Sequence, residues 1–190
     1  MFRRLLLFAC LASTAAFSFP LSVIDFENIL SLTELTNEYP GVNFTNASVI
    51  TSAIDLNEFD FPPKSGQNVA MDFGGPVIIT FDQPVNSFSA YFTYVTKIGL
   101  EFYDNSNTIL GTVMSSVDNN TGLGGTAPPN ELLQFTNAAG FLSVHITGSA
   151  LGQSFVVDDI QLGSTQVPEP GTFGLLLVAC AGVAVYRRKK

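Results

Sequence analysis

The sequence predicts an all-β, antiparallel β-sandwich. Three observations carry this. Short apolar runs rich in Val, Ile and Phe recur along the body of the chain, separated by Gly-, Pro- and Asn-rich turn signals. One of them, "NSFSAYFTYV", alternates strictly, with Phe88, Ala90, Phe92 and Tyr94 on one face and Ser87, Ser89, Tyr91 and Thr93 on the other. No sustained 3.6-residue pattern appears in the body, and many short strands without intervening helices pack as a sandwich.

Taken in order, the strand-like runs are "SVIDFE", "QNVAMDF", "PVIITF", "NSFSAYFTYV", "IGLEFYD", "TILGTVM", "ELLQF", "FLSVHIT" and "SFVVDDIQL". The punctuation between them is "PPKSGQN", "FGGP", "DNSN", "GLGGTAPPN", "NAAG" and "TGSALGQ". Ser31 and Glu34 in "SLTELTNEYPG" have the spacing of a capping box and predict one helical turn. Twelve Phe lie between Phe26 and Phe155, enough large apolar side chains for a sandwich core.

Composition divides the 190 residues into a body and two ends. Residues 19–166 contain two basic side chains, Lys64 and Lys97, against fifteen carboxylates, a formal charge of −13. Such a surface repels phosphate backbones and argues against nucleic-acid binding. Both cysteines, Cys10 and Cys180, lie in the ends, so the body has no disulfide, thiolate metal site or cysteine nucleophile.

Residues 1–18 read as a secretory signal peptide: Arg3 and Arg4, an apolar stretch from Leu5, then small residues that allow cleavage after Ala16 or Ser18. Export through the Sec translocon and processing by signal peptidase follow. At the other end, Phe173–Tyr186 is an uncharged run closed by Arg187, Arg188, Lys189 and Lys190. As a helix it spans about 21 Å, short of a hydrocarbon core of about 30 Å, and inserts with its basic side chains snorkelling. The basic cluster stays on the cytoplasmic side as a stop-transfer signal.

Residues 167–190, with Pro168, Glu169 and Pro170 ahead of the apolar segment and basic tail, resemble the PEP-CTERM sorting signal of exported Gram-negative proteins. The resemblance implies recognition of the Pro-Glu-Pro element by the membrane protease-transpeptidase exosortase. It implies anchoring in the inner membrane before processing, then residence at the cell surface or in the extracellular matrix, often alongside extracellular polysaccharide. In the body, "ITFDQPVNSFSAYF", the closing "FVVDDIQL" and "NEYPGVNF" resemble jelly-roll sandwiches of exported proteins and carbohydrate-binding modules.

Chemistry-bearing residues are sparse. His145, the single histidine, falls on the face of "FLSVHIT" opposite Leu142, Val144 and Ile146 and reads as plain surface. No nucleophile–base–acid arrangement is legible around it, and the chain reads as a non-enzyme. Among the tyrosines Tyr39, Tyr91, Tyr94 and Tyr103, Tyr91 and Tyr94 are the candidate glycan-binding platforms. The two-residue period of "FVVDDIQL" groups Val156, Asp158, Ile160 and Leu162, which turns Asp158 inward. A buried carboxylate needs a cation or several hydrogen bonds. In the sandwiches that the chain resembles, the first and last strands share a structural Ca²⁺, which implies a site of Asp158, Asp159, Asp25 and Glu27. The alternatives are that Asp158 accepts backbone N–H bonds at a bulge, or that Asp159 is the inward residue.

Function on this reading is that of an exported, non-enzymatic cell-surface or matrix protein sorted by exosortase. The rival reading is a carbohydrate-binding module for an extracellular polysaccharide, and the weaker one a small glycoside hydrolase using a carboxylate pair.

Overall fold

The computed structural model describes residues 23–163. The expected signal peptide (residues 1–18), Pro168–Pro170, the apolar segment and Arg187–Lys190 lie outside the described residues.

Nine strands form the domain: β1 Val23–Ile24, β2 Val42–Thr45, β3 Ala47–Thr51, β4 Asn68–Asp72, β5 Val77–Tyr94, β6 Gly99–Tyr103, β7 Ile109–Met114, β8 Glu131–Thr147 and β9 Phe155–Gly163. Every pairing between them is antiparallel. The hydrogen-bonded order is β3-β4-β9-β5-β8-β6-β7, with β1 on β9 and β2 on β5. No helix occurs among the described residues, so the fold is all-β. The expected helical turn at Ser31 is absent: Ser31 Oγ instead donates to Asp55 Oδ2 at 2.8 Å, and Glu34 bridges Ser48.

Two strands account for the two layers. The sequence breaks "PVIITF" from "NSFSAYF", and "ELLQF" from "FLSVHIT", yet each pair is one long bent strand. Residues 77–80 of β5 pair with 143–146 of β8, and residues 87–92 pair with 131–136. Between these blocks the register slips on either side of Val85. Pro84 lacks an N–H and fixes its own φ, which suits it to this break in the ladder. Opposite it, Gly140 has φ +80, and a side chain there would strike Pro84 at 2.8 Å. The two bends therefore nest, and only glycine fits.

The first layer is β3, β4, β9, the second half of β5 and the first half of β8. The second layer is β2, the first half of β5, the second half of β8, β6 and β7. Inward residues of both fill the space between. Phe102 of the second layer stacks on Phe135 of the first at 4.2 Å and meets Phe88 at 5.8 Å and Phe141 at 5.0 Å. Phe135 also lies against Gly111, where an added Cβ would approach its ring to 2.4 Å. A second, smaller apolar cluster of Ile50, Leu56, Val69 and Val156 lies apart from this core.

Loops are tied down by side chains that imitate strand partners. Asn120 Oδ1 accepts from Tyr94 N–H at 2.7 Å while its Nδ2 donates to Phe92 O at 3.0 Å. Asp72 accepts from Ser154 N–H, Ser154 Oγ and Phe155 N–H, holding the β8–β9 loop to the end of β4. Such fully bonded buried polar groups avoid the cost of desolvation.

Phe102 is fully buried where the two layers meet. Phe102→Ala is expected to cost about 3–5 kcal/mol in chemical denaturation. Leu151→Ala, at a loop position 92% exposed, is expected to stay within about 0.5 kcal/mol.

Candidate functional site

The outward face of the second layer gathers chemistry that is dispersed in the sequence. Inward positions on β5, β8 and β6 are Ile79, Val144, Ile146, Leu100 and Phe102, so the residues between them point away from the core. Cross-strand register then aligns Thr45, Ile78, His145, Glu101 and Thr112 in one row over five strands. At about 4.8 Å per strand the row is about 19 Å wide. Beside it runs a second row of Asn43, Thr80, Ser143 and Tyr103.

At the centre, the Tyr103 and His145 rings lie 4.3 Å apart at 36°. Tyr103 Oη donates to Glu101 Oε2 at 2.5 Å. That bond raises the Tyr103 phenol above its ordinary pKa, with burial adding to it. Burial holds His145 below the usual imidazole range, opposed in part by Glu101. At neutral pH His145 is therefore a neutral ring with one donor and one acceptor nitrogen. The outcome is a two-ring surface fixed by a tilted ring contact and by one hydrogen bond, edged by a carboxylate and hydroxyls. Such a surface can stack on the apolar face of a ring and bond the groups at its rim.

Of the residues singled out from sequence, Tyr91 is half-exposed on the outer face of the first layer. Its cross-strand neighbours are Leu132 and Asp158. Lys64 Nζ sits 4.4 Å from its ring centroid, so the ring already carries a cation. Tyr94 is not a surface platform. It shares the core face with Phe88, Ala90 and Phe92 and is fully buried, and its hydroxyl donates to Glu131. Burial, then that bond, pushes its phenol up to about 12.

The acids fall out differently from the two-residue period. Asp159 has φ +49, and the β5–β9 register slips between Ser89↔Gln161 and Tyr91↔Asp158. This bulge inserts one residue and flips the strand's faces. Val157 and Ile160 therefore both reach the main core, while Val156 joins the smaller cluster. Asp158 is buried not in the main core but beneath the loop that leads into β4. Its Oδ2 accepts from Lys64 N–H at 2.7 Å and Ser65 N–H at 3.0 Å, and its Oδ1 from Asp159 N–H at 2.7 Å. Backbone donors thus take up the carboxylate, as in the bulge alternative. Asp159 Oδ1 accepts from Ser65 Oγ at 2.8 Å. Glu27 Oε1 accepts from Gln67 and Asn68 N–H, and Asp25 Oδ1 from Glu27 N–H. β1 does lie on β9. Among the described residues, no three His, Cys, Asp or Glu side chains gather as a metal site.

In the sequence alone His145 reads as plain surface, and nothing distinguishes Tyr103 from the other tyrosines. Their pairing depends on β6 aligning with β8, a register that no local pattern records.

No family model matches the chain, and no curated relative matches it. Among solved structures it is similar to the K2 cleaved adhesin domain of Lys-gingipain, at 11% identity and TM-score 0.45 over 75% of this chain and 97% of that one. It is also similar to a DUF4465 family protein from Bacteroides caccae (13%, 0.45, 76% and 99%) and to a family 6 carbohydrate-binding module (15%, 0.39, 76% and 95%). Scores this low leave these as similarities of chain outline, and the functional reading rests on the side chains.

Asp158 makes stability depend on pH. Burial pushes its carboxyl up to about 6 from an ordinary 3.8, with the Asp159 charge adding and the backbone donors opposing. The native state therefore holds this proton more tightly than the unfolded chain. Its stabilising contribution is full below the unfolded pKa and is lost as pH rises through about 6. Thermal unfolding at several pH values is expected to show the melting midpoint of the protein, relative to Asp158→Asn, falling from about pH 4 to about pH 7. A relative rise over that window would mean that the N–H donors outweigh burial.

Proposed function

We propose that the domain is a non-catalytic carbohydrate-binding module of an exported protein, and that it holds a neutral polysaccharide on the face of Tyr103, His145 and Glu101. One observation carries this: a preorganised pair of rings, bonded to a carboxylate, on an otherwise hydroxyl-rich sheet face. Sugars present one face of C–H groups and a rim of hydroxyls. The rings match the first, and Glu101, Thr112, Thr80 and Asn43 match the second. Fixing the rings beforehand lowers the ordering cost of binding. The body's charge of −13 disfavours polyanionic glycans. His145 faces Tyr103 and Glu101 and is not partnered to a serine hydroxyl among the described residues, which favours binding over hydrolysis.

The second reading, a structural or adhesive surface protein, draws on the tail. Val-Pro-Glu-Pro, an apolar run and a basic stop support export, exosortase sorting and surface delivery under either reading. The jelly-roll form of the sandwich belongs to this proposal as well.

A glycan array probed with the purified protein is expected to return neutral polysaccharides. Tyr103→Ala should weaken that binding about tenfold or more, since losing an aromatic anchor costs above about 1 kcal/mol. An array with no specific hit would leave the adhesive reading. For the tail, intact-mass analysis of the surface fraction from a host with exosortase is expected to show loss of the residues after Pro-Glu-Pro. Retention of Lys190 there would reduce the tail to a simple anchor.

A further inference from the structure

A cavity of about 290 Å³ lies at the β3 edge of the first layer, lined by Leu32, Glu34, Asn46, Ala47, Ser48, Ile50 and Phe73. This size is at the lower end for small-molecule sites, roughly 300–1,000 Å³.

Three features of its walls bear on what it can hold. Phe73 is 61% exposed, and no other ring packs against it among the described residues. Leu32 is 67% exposed although its backbone sits at φ +64. A large apolar residue held in the left-handed region is strained. The Glu34 carboxylate has no hydrogen-bond or ionic partner among the described residues.

The walls are nevertheless firmly placed. Leu32 N–H donates to Val49 O at 2.7 Å, and Val49 N–H donates back to Thr33 O at 2.9 Å. Asn46, at φ +61, accepts Phe73 N–H on its carbonyl at 2.9 Å and donates from Nδ2 to Pro76 O at 3.0 Å. The turn bearing Phe73 is thereby fastened to the corner between β2 and β3.

We propose that this cavity is a binding site for a single neutral sugar ring, separate from the Tyr103 face. It rests on the glycan-binding reading only for the chemical class of its ligand. Phe73, Leu32 and Ile50 offer apolar contact for the C–H face of one ring. Glu34 accepts from adjacent hydroxyls, and Ser48 adds a hydroxyl within the cavity. Its size fits one ring, not a chain, so the sugar is a chain end or a free monosaccharide. Glu34, on a body of charge −13, excludes uronates by repulsion, and the same charge opposes a second copy of this chain as occupant.

Ligand-detected NMR of the purified protein with neutral hexoses, 6-deoxyhexoses and glucuronate tests this. A neutral monosaccharide is expected to bind with a dissociation constant near millimolar, as one ring's contacts allow. Phe73→Ala and Glu34→Gln, both at exposed positions, should each weaken it at least fivefold. Absence of monosaccharide binding, preference for glucuronate, or binding indifferent to both cavity variants would overturn the proposal. The two sites fail separately. Polysaccharide binding lost only in Tyr103→Ala, with no monosaccharide bound, removes the cavity and keeps the face. Monosaccharide binding without any polysaccharide binding does the reverse.

Discussion

Everything in the domain depends on β5 and β8 staying paired through a shared bend. Each strand serves both layers. If they were straight, their partners would extend one wide sheet with an uncovered apolar face. The bend is made by Pro84 on one strand and Gly140 on the other, close enough that any side chain at 140 would clash. It brings Phe102 over Phe88, Phe135 and Phe141. The same bend turns the outer face of the second layer into a continuous five-strand surface, on which the row from Thr45 to Thr112 is laid out.

The class of fold was legible because period-two alternation is a local signal. "NSFSAYFTYV" assigned Phe88, Ala90, Phe92 and Tyr94 to one face, and all four are buried. That same alternation placed Tyr94 with the core residues, against its choice as a platform. The signal failed wherever the backbone departed from regular extension. At Asp159 a positive φ reverses the alternation, so Asp158 and Ile160, two apart, sit in different environments. At Asn46 a single residue with φ +61 carries the chain from β2 in the second layer to β3 in the first. No glycine or proline marks that corner, and both strands went unrecognised. The candidate face was illegible for another reason. Tyr103 and His145 meet only through long-range pairing, and each alone is an unremarkable half-exposed side chain.

Electrostatics divide the surface by what each charge is already doing. Asp158, Asp72 and Glu27 spend their oxygens on backbone N–H groups and hold loops in place. Lys64 lies over Tyr91, with its own backbone N–H held by Asp158. Glu101 differs: its Oε2 accepts from the Tyr103 hydroxyl and so helps to fix that ring. The acids that hold loops in place are thus distinct from Glu101, which lies on the candidate face.

Amide chemical-shift mapping separates the Tyr103 face from every other surface of the domain. A panel of soluble neutral oligosaccharides would be titrated into isotope-labelled protein. Saturable shifts are expected, centred on Glu101, Tyr103 and His145 and spreading along β6 and the second half of β8. Shifts confined to the Tyr91 face of the first layer, or none with any oligosaccharide, would contradict binding on the Tyr103 face.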